Sequence, residues 1–332
     1  MNNANPAHQK LAIAYGFGYG LSKHYEWRSN ALPSRILVLL AVHMEILKTT
    51  TEDGLKLSGL YFKPVEPSQK IIIHVHGMAG DPYSNAFLQP MFSGYPAAGV
   101  AFLSVENRGT HSVTQFGTTE DKIRLAGDAY EKFEECVFDI AAWIGVVKKL
   151  GYTEVWLQGH SLGCSKVAYY VSQKARGEVA GAILLSPSDM IGLVYDPVGY
   201  ADHEVLFTEA TELVKEGRGE QLLSKLLWGE QLLSAATYIN LFSDDSADAI
   251  FNFGKPELGF AVVNAITSPV LAFTGTQDDG VVPVADPHAA MQTLEHELVQ
   301  SPRVRTVVYD GAKHDFAGFG DQIVAEVLHF VH

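Results

Sequence analysis

The pentapeptide Gly159-His160-Ser161-Leu162-Gly163 constrains this chain more than any other stretch. Residues 153–158 before it, with Val155-Trp156-Leu157 at their centre, read as a buried strand, and residues 165–171 after it read as a helix. A tight strand-to-helix turn of this composition lifts its central serine hydroxyl above the sheet, where it can attack a carbonyl. The flanking glycines are needed because bulkier side chains would clash as the backbone folds back on itself.

The rest of the chain supplies the sheet that such a turn requires. Residues 44–50 and 55–62 alternate apolar and polar around Asp53-Gly54, which predicts a hairpin. The continuous apolar run at 71–76 reads as a strand buried on both faces. A helix is expected at 84–98, a strand at 100–105, a long helix at 127–150, and strands at 154–158 and 179–185. Residues 189–264 then lack a clear strand and hold helical pieces at 204–215, 222–228 and 232–241. Within them Gly219-Glu220-Gln221-Leu222-Leu223-Ser224 is echoed as Gly229-Glu230-Gln231-Leu232-Leu233-Ser234, one echo and not a repeat architecture. The alternation resumes with a strand at 269–274, a helix at 286–298, a strand at 304–309 and a helix at 322–330. Alternating strands and helices predict an α/β protein with a mostly parallel central sheet covered by helices on both faces. The domains expected are an N-terminal extension at 1–43, a core at 44–188 and 266–332, and an inserted α-helical cap at 189–265.

Composition narrows the partners. The chain has 332 residues, 47% of them hydrophobic, which allows one large core with a smaller insertion. The formal net charge of −14 repels phosphate backbones and anionic headgroups, so nucleic acid is excluded as a partner and a small-molecule substrate is expected. Lys148-Lys149 fits the negative end of a helix dipole. The two cysteines, Cys136 and Cys164, do not suggest a disulfide framework, and a reducing compartment such as the cytoplasm is the expectation. The apolar stretches at 11–21 and 36–42 are too short to span a bilayer, so no stable membrane insertion is expected. Residues 1–9 carry no Lys or Arg, unlike the start of a signal peptide. The extension reads as a segment that packs on the domain or on a second copy, so a homodimer through the extension or the cap is an option.

A serine hydroxyl needs a base within hydrogen-bond reach, and the base needs a carboxylate to hold its tautomer. Asp278 and Asp279 follow the strand at 270–274, and His314 follows the strand at 304–309. Catalytic groups gather at that edge of α/β sheets. His76-Gly77-Met78-Ala79-Gly80 follows the first central strand, and the backbone N–H groups of Met78 and Leu162 are candidates for an oxyanion hole. His74 and His76 share a strand face, but two nitrogens alone bind a metal weakly, so no metal site is expected. The spaced glycines Gly16, Gly18 and Gly20 follow no strand, so no dinucleotide site and no cofactor is expected.

With these motifs the chain resembles the α/β-hydrolase superfamily over residues 44–332: the His-Gly-x-x-Gly loop at 76–80, the elbow at 159–163, Gly-x-x-Asp at 275–278 and the histidine at 314. The order serine, acid, histidine is the one this superfamily uses. Asn107-Arg108-Gly109-Thr110-His111-Ser112 is similar to a loop of the family but has His111 where a second glycine is usual and Ser112 one place early. The family's usual acid stands four places before the proline of a Val-Pro pair, which gives Asp279, whereas Gly-x-x-Asp gives Asp278, the choice preferred for its reach. The resemblance implies hydrolysis, by acyl transfer to water, of a carboxylic ester, or a related thioester or lactone, of a small and largely apolar molecule, through an acyl-enzyme on Ser161 with Asp278 and His314. Acyl transfer to another acceptor, amide or lactam opening and carbon–carbon cleavage use the same groups, and a non-catalytic binder on this fold is a further alternative. Apolar cap residues, among them Leu213, Leu227, Trp228, Tyr238 and Phe242, would suit a hydrophobic arm or pack the cap itself.

Overall fold

The computed structural model describes residues 43–173, 178–196 and 200–332. Apart from His43, the extension expected at 1–43 lies outside them. The chain forms β1 (Met44–Thr50), β2 (Lys56–Phe62), β3 (Lys70–Val75), α1 (Leu88–Ala97), β4 (Ala101–Val105), β5 (Thr114–Gly117), β6 (Ile123–Ala126), α2 (Cys136–Lys149), β7 (Glu154–His160) and α3 (Leu162–Gln173). It continues with β8 (Gly181–Leu185), α4 (Met190–Tyr195), α5 (Tyr200–Lys215), α6 (Ala235–Phe242), α7 (Ala261–Asn264), β9 (Val270–Gln277), α8 (Pro287–Glu297), β10 (Val304–Lys313) and α9 (Gly320–Val331). The main sheet has eight strands in the order β1-β2-β4-β3-β7-β8-β9-β10. The expected hairpin of β1 and β2 is antiparallel, β2 also pairs antiparallel with β4, and every pair from β4 to β10 is parallel.

The period of two along the strands divides the core into two layers. Ile71, Ile73 and Val75 of β3 face one layer, shared with Ile140, Trp143 and Ile144 of α2, Val167 of α3 and Met291 of α8. Ile72 between them faces the other, with Leu88 and Met91 of α1 and Val327 and Phe330 of α9. Continuous apolar strands are what a sheet covered on both faces demands. The segment between β8 and β9 is helical, as expected, and Leu206, Leu213, Tyr238, Leu241 and Phe242 bury themselves in the first layer.

Three expectations need correction. The helix expected at 127–150 begins only at Cys136, because the amides of Gly127, Asp128 and Ala129 donate to Arg108, His111 and Ser112 of the preceding loop at 2.8–2.9 Å and not along a helix. The helix expected at 84–98 begins at Leu88, since Asp81 accepts from the amides of Tyr83 and Ser84 at 2.8 and 2.7 Å and holds a turn there. Residues 222–228 are not helical: Leu222 of the first copy of the echoed segment bridges antiparallel with Ser234 of the second, and Leu227 of the joining turn with Gln231. Ser234 then caps α6 by accepting from the Thr237 amide at 3.2 Å. The small hairpin of β5 and β6 has too little alternation to be legible in the sequence.

Two buried ion clusters fix the elements around the serine turn. Arg108, 2% exposed, donates to Asp139 of α2 at 2.9 Å and also reaches Asp53 and Glu135, so this loop arginine joins α2 to the β1–β2 turn. Lys166 of α3 is fully buried and donates to Glu131 at 2.6 Å and to Asn107 at 3.3 Å. Burial pushes the Lys166 ammonium down, but Glu131 outweighs it and the pKa ends above its ordinary value. Burial also pushes the nearby carboxyls of Asp128 and Asp248 well above the ordinary range. Lys166→Met strands the Glu131 charge in the core, and it should cost about 3–5 kcal/mol in urea unfolding. Adding Glu131→Gln should recover much of the loss, and a single variant losing under about 1 kcal/mol would contradict this role for the pair.

Candidate active site

Strand β7 runs straight into α3 with only Ser161 between them. Ser161 takes a φ of +55°, a region that L-residues seldom occupy. The turn is closed by a hydrogen bond from the Cys164 amide to the Ser161 carbonyl at 2.8 Å, and the Ser161 amide donates to Leu185 at the end of β8 at 3.0 Å. A Cβ on Gly159 would overlap the backbone of Gly163, and one on Gly163 would overlap the carbonyl of Val75 at the end of β3. Both glycines are therefore required by close approach. Helix α3 starts at Leu162, so its positive end points at the turn.

The turns after β9 and β10 bring the candidate acid and the candidate base together. His314 Nδ1 lies 2.8 Å from Asp278 Oδ1. Asp278 is fully buried and also accepts from the Gly280 amide at 3.0 Å and the Thr274 hydroxyl at 3.1 Å. Burial pushes the Asp278 carboxyl up, but the hydrogen bonds and charge around it win and hold it below its ordinary value. For His314, burial pushes the imidazole down, and the hydrogen bond and charge of Asp278 outweigh that, so its pKa ends above 6.5. Asp279, the other candidate acid, is exposed and lines the cavity.

Ser161 and His314 line one cavity of about 400 Å³, together with Gly77 and Met78 of the loop after β3. Among the described residues no hydrogen bond takes up the amide of Met78 or Leu162. Gly77 packs on the turn so closely that a Cβ there would meet the Ser161 Cβ at 2.8 Å. The residues singled out in the sequence, Ser161, Asp278, His314, Met78 and Leu162, thus come from four separated loops to one edge of the sheet.

Two further residues brace the histidine. Ser186, at the end of β8 with φ +57°, places its Oγ 2.9 Å from His314 Nδ1. His160 Nε2 donates to the His314 carbonyl at 2.8 Å, and its ring stands 4.8 Å from the His314 ring. Burial, with the charge of His314 adding to it, pushes the His160 pKa down to about 3, so this ring is neutral. Neither residue was legible as functional, because Ser186 reads as the end of a strand and His160 as the variable place of the pentapeptide. His74 and His76 are buried and committed elsewhere, His74 to Gln158 at 2.9 Å and His76 to Thr110 at 2.8 Å. Among the described residues, Asp278, Asp279 and His314 form the one cluster with metal-ligand spacing, and the mutual bond of Asp278 and His314 occupies two of its atoms.

The insertion between β8 and β9 supplies the far wall of the cavity with Met190, Leu193, Asp196, Trp228, Glu230 and Gln231. Of the apolar residues considered from sequence for that wall, only Trp228 lines the cavity, while Leu213, Leu227, Tyr238, Leu241 and Phe242 are buried in the core. The wall is therefore more polar than expected. No helix among the described residues is long and apolar enough to cross a membrane.

The architecture is that of the α/β-hydrolases. Pf2001, an esterase of Pyrococcus furiosus, matches over 88% of this chain and 93% of its own, with a TM-score of 0.55 and 16% identity. Est1E from Butyrivibrio proteoclasticus matches over 86% and 96%, with a TM-score of 0.57 and 18% identity. A thermostable carboxyl esterase from Bacillus coagulans matches over 87% and 97%, with a TM-score of 0.57 and 17% identity. At these identities the likeness is one of fold. No curated protein matches the chain. One family, described as "protein of unknown function (DUF1749)", matches residues 61–332, from the end of β2 through every element that builds the cavity, and the chain is a member of that family, built on an α/β-hydrolase fold.

Proposed function

We propose that the protein is a serine hydrolase that cleaves carboxylic esters, or the related thioesters and lactones, through an acyl-enzyme on Ser161. The observation that carries this reading is the hydrogen-bonded pair of Asp278 and His314, 2.8 Å apart, on the same cavity as a serine held at φ +55°. Several structures that share the fold are esterases. In the proposed reaction His314 takes the proton of the Ser161 hydroxyl as its Oγ attacks the carbonyl carbon. The carbonyl oxygen becomes an oxyanion, and the amides of Met78 and Leu162 donate to it. The tetrahedral intermediate collapses, His314 returns the proton to the leaving alcohol, and an ester of Ser161 remains. Water then attacks that ester with the same proton transfers and releases the acid. Asp278 holds the proton of His314 on Nδ1 and stabilises the imidazolium. In this reading the insertion at 189–265 acts as a cap that shields the acyl-enzyme, and the substrate is a small molecule.

A fluorophosphonate probe should label the intact protein on Ser161, and Ser161→Ala should abolish labelling and lower kcat/KM for a p-nitrophenyl ester by at least about 10⁴-fold. A folded wild-type protein that neither reacts with the probe nor turns over any ester, thioester or lactone would favour a binding protein. The pH profile gives a second check. The base must be neutral, so activity is lost as pH falls through the His314 pKa, and the acid limb of kcat/KM should have its midpoint above 6.5. Asp278→Asn should lower kcat by about 10⁴-fold and move that midpoint down, and an unmoved midpoint would contradict the pairing.

A further inference from the structure

The wall of the cavity carries a charge pattern that the proposed chemistry does not use. Asp196, Glu230 and Asp279 line it, and no Lys or Arg does. Among the described residues neither Glu230 nor Asp279 is paired with a cation. Of the two histidines in the lining, burial pushes the His160 pKa down to about 3, while at His314 burial is outweighed by the hydrogen bond and charge of Asp278, which hold its pKa above the ordinary value. Trp228 and the half-buried Gln231 line the same space. Met78, Met190, Leu193 and Pro283 make up the apolar remainder of the lining.

These groups ask for one kind of ligand. An ammonium group satisfies carboxylates by charge and an aromatic face by its quadrupole. A carboxylate or phosphate in the same place would face two acids with no counter-charge. We propose that the substrate of this site is an ester whose acyl or alcohol arm carries an ammonium group, seated against Trp228, Glu230 and Gln231 with Asp279 at the near side. This inference rests on the hydrolase reading and adds the charge of the substrate to it. Glu230, Gln231 and Trp228 belong to the bridged echo segment, so the second copy of the echo and the turn that joins the copies build the recognition wall. Trp228 is held there at φ +53°.

Three p-nitrophenyl esters of matched length test it: one ending in an ammonium group, one in a methyl group and one in a carboxylate. Wild-type protein should prefer the ammonium ester to the methyl ester by about tenfold in kcat/KM, the size expected of a solvated ion pair plus a cation–aromatic contact. The preference should shrink as salt is raised. The carboxylate ester should be the poorest of the three. Glu230 is exposed, so Glu230→Lys is compatible with folding, and it should reverse the order of the ammonium and carboxylate esters. A ratio of ammonium to methyl ester near one in the wild type, or a ratio unchanged by Glu230→Lys, would overturn the inference while esters are still being cleaved. Failure to cleave any of the three, together with failure to react with fluorophosphonate, would overturn the underlying hydrolase reading.

Discussion

The close approach of two backbones at the end of β3 is the constraint on which the rest of the site depends. The turn between β7 and α3 lies against the carbonyls of Val75 and His76, with no room for a side chain on Gly159 or Gly163. That contact forces Ser161 to positive φ, starts α3 immediately after it and sets the amide of Leu162 beside the loop that carries Met78. The serine and the two amides are thereby coupled through one piece of packing. Strain at the serine is tolerated because the turn is held by hydrogen bonds from both sides and by the buried ion pair of Lys166 and Glu131 one turn into α3.

The histidine is held by a different device. Strand β10 carries it out past β9, its nearest neighbour in the sheet, and the loop after β9 carries Asp278. Gly280 lets that loop pass under the imidazole, since a Cβ there would meet His314 Nδ1 at 2.6 Å. Asp278, Ser186 and the His160 contact to the His314 carbonyl then restrain both the ring and its backbone. A ring pinned at Nδ1 and at its own carbonyl keeps Nε2 for proton transfer, which is what the proposed reaction requires.

The order of strands and helices was legible because parallel strands buried on both faces read as unbroken apolar runs, and their ends carry the turn residues. The site was legible for the same reason: Ser161, Asp278 and His314 each follow such a run, so the fold class placed them at one edge before any distance was known. What stayed hidden depends on long-range partners. The stretch at 127–135 has helical spacing, but the amides of residues 127–129 bond to the 108–112 loop and only two short 3-10 turns form before α2, and no local pattern reports that. Residues 222–228 look amphipathic, yet they pair with their own echo. Ser186, Gln231 and Glu230 have ordinary neighbours in sequence, and only the folded cavity gives them a role. Most apolar residues of the insertion pack the core, and Met190, Leu193 and Trp228 share the cavity wall with Asp196, Glu230 and Gln231.

The covalent intermediate tests the central claim most directly. A slowly deacylated p-nitrophenyl ester, mixed with the protein and quenched in acid within the first turnover, should leave one acyl group per chain. Peptide mass mapping should place it on the segment that contains Ser161. Turnover with no acylated peptide, or an acyl group found on Ser186 or another residue, would contradict the account.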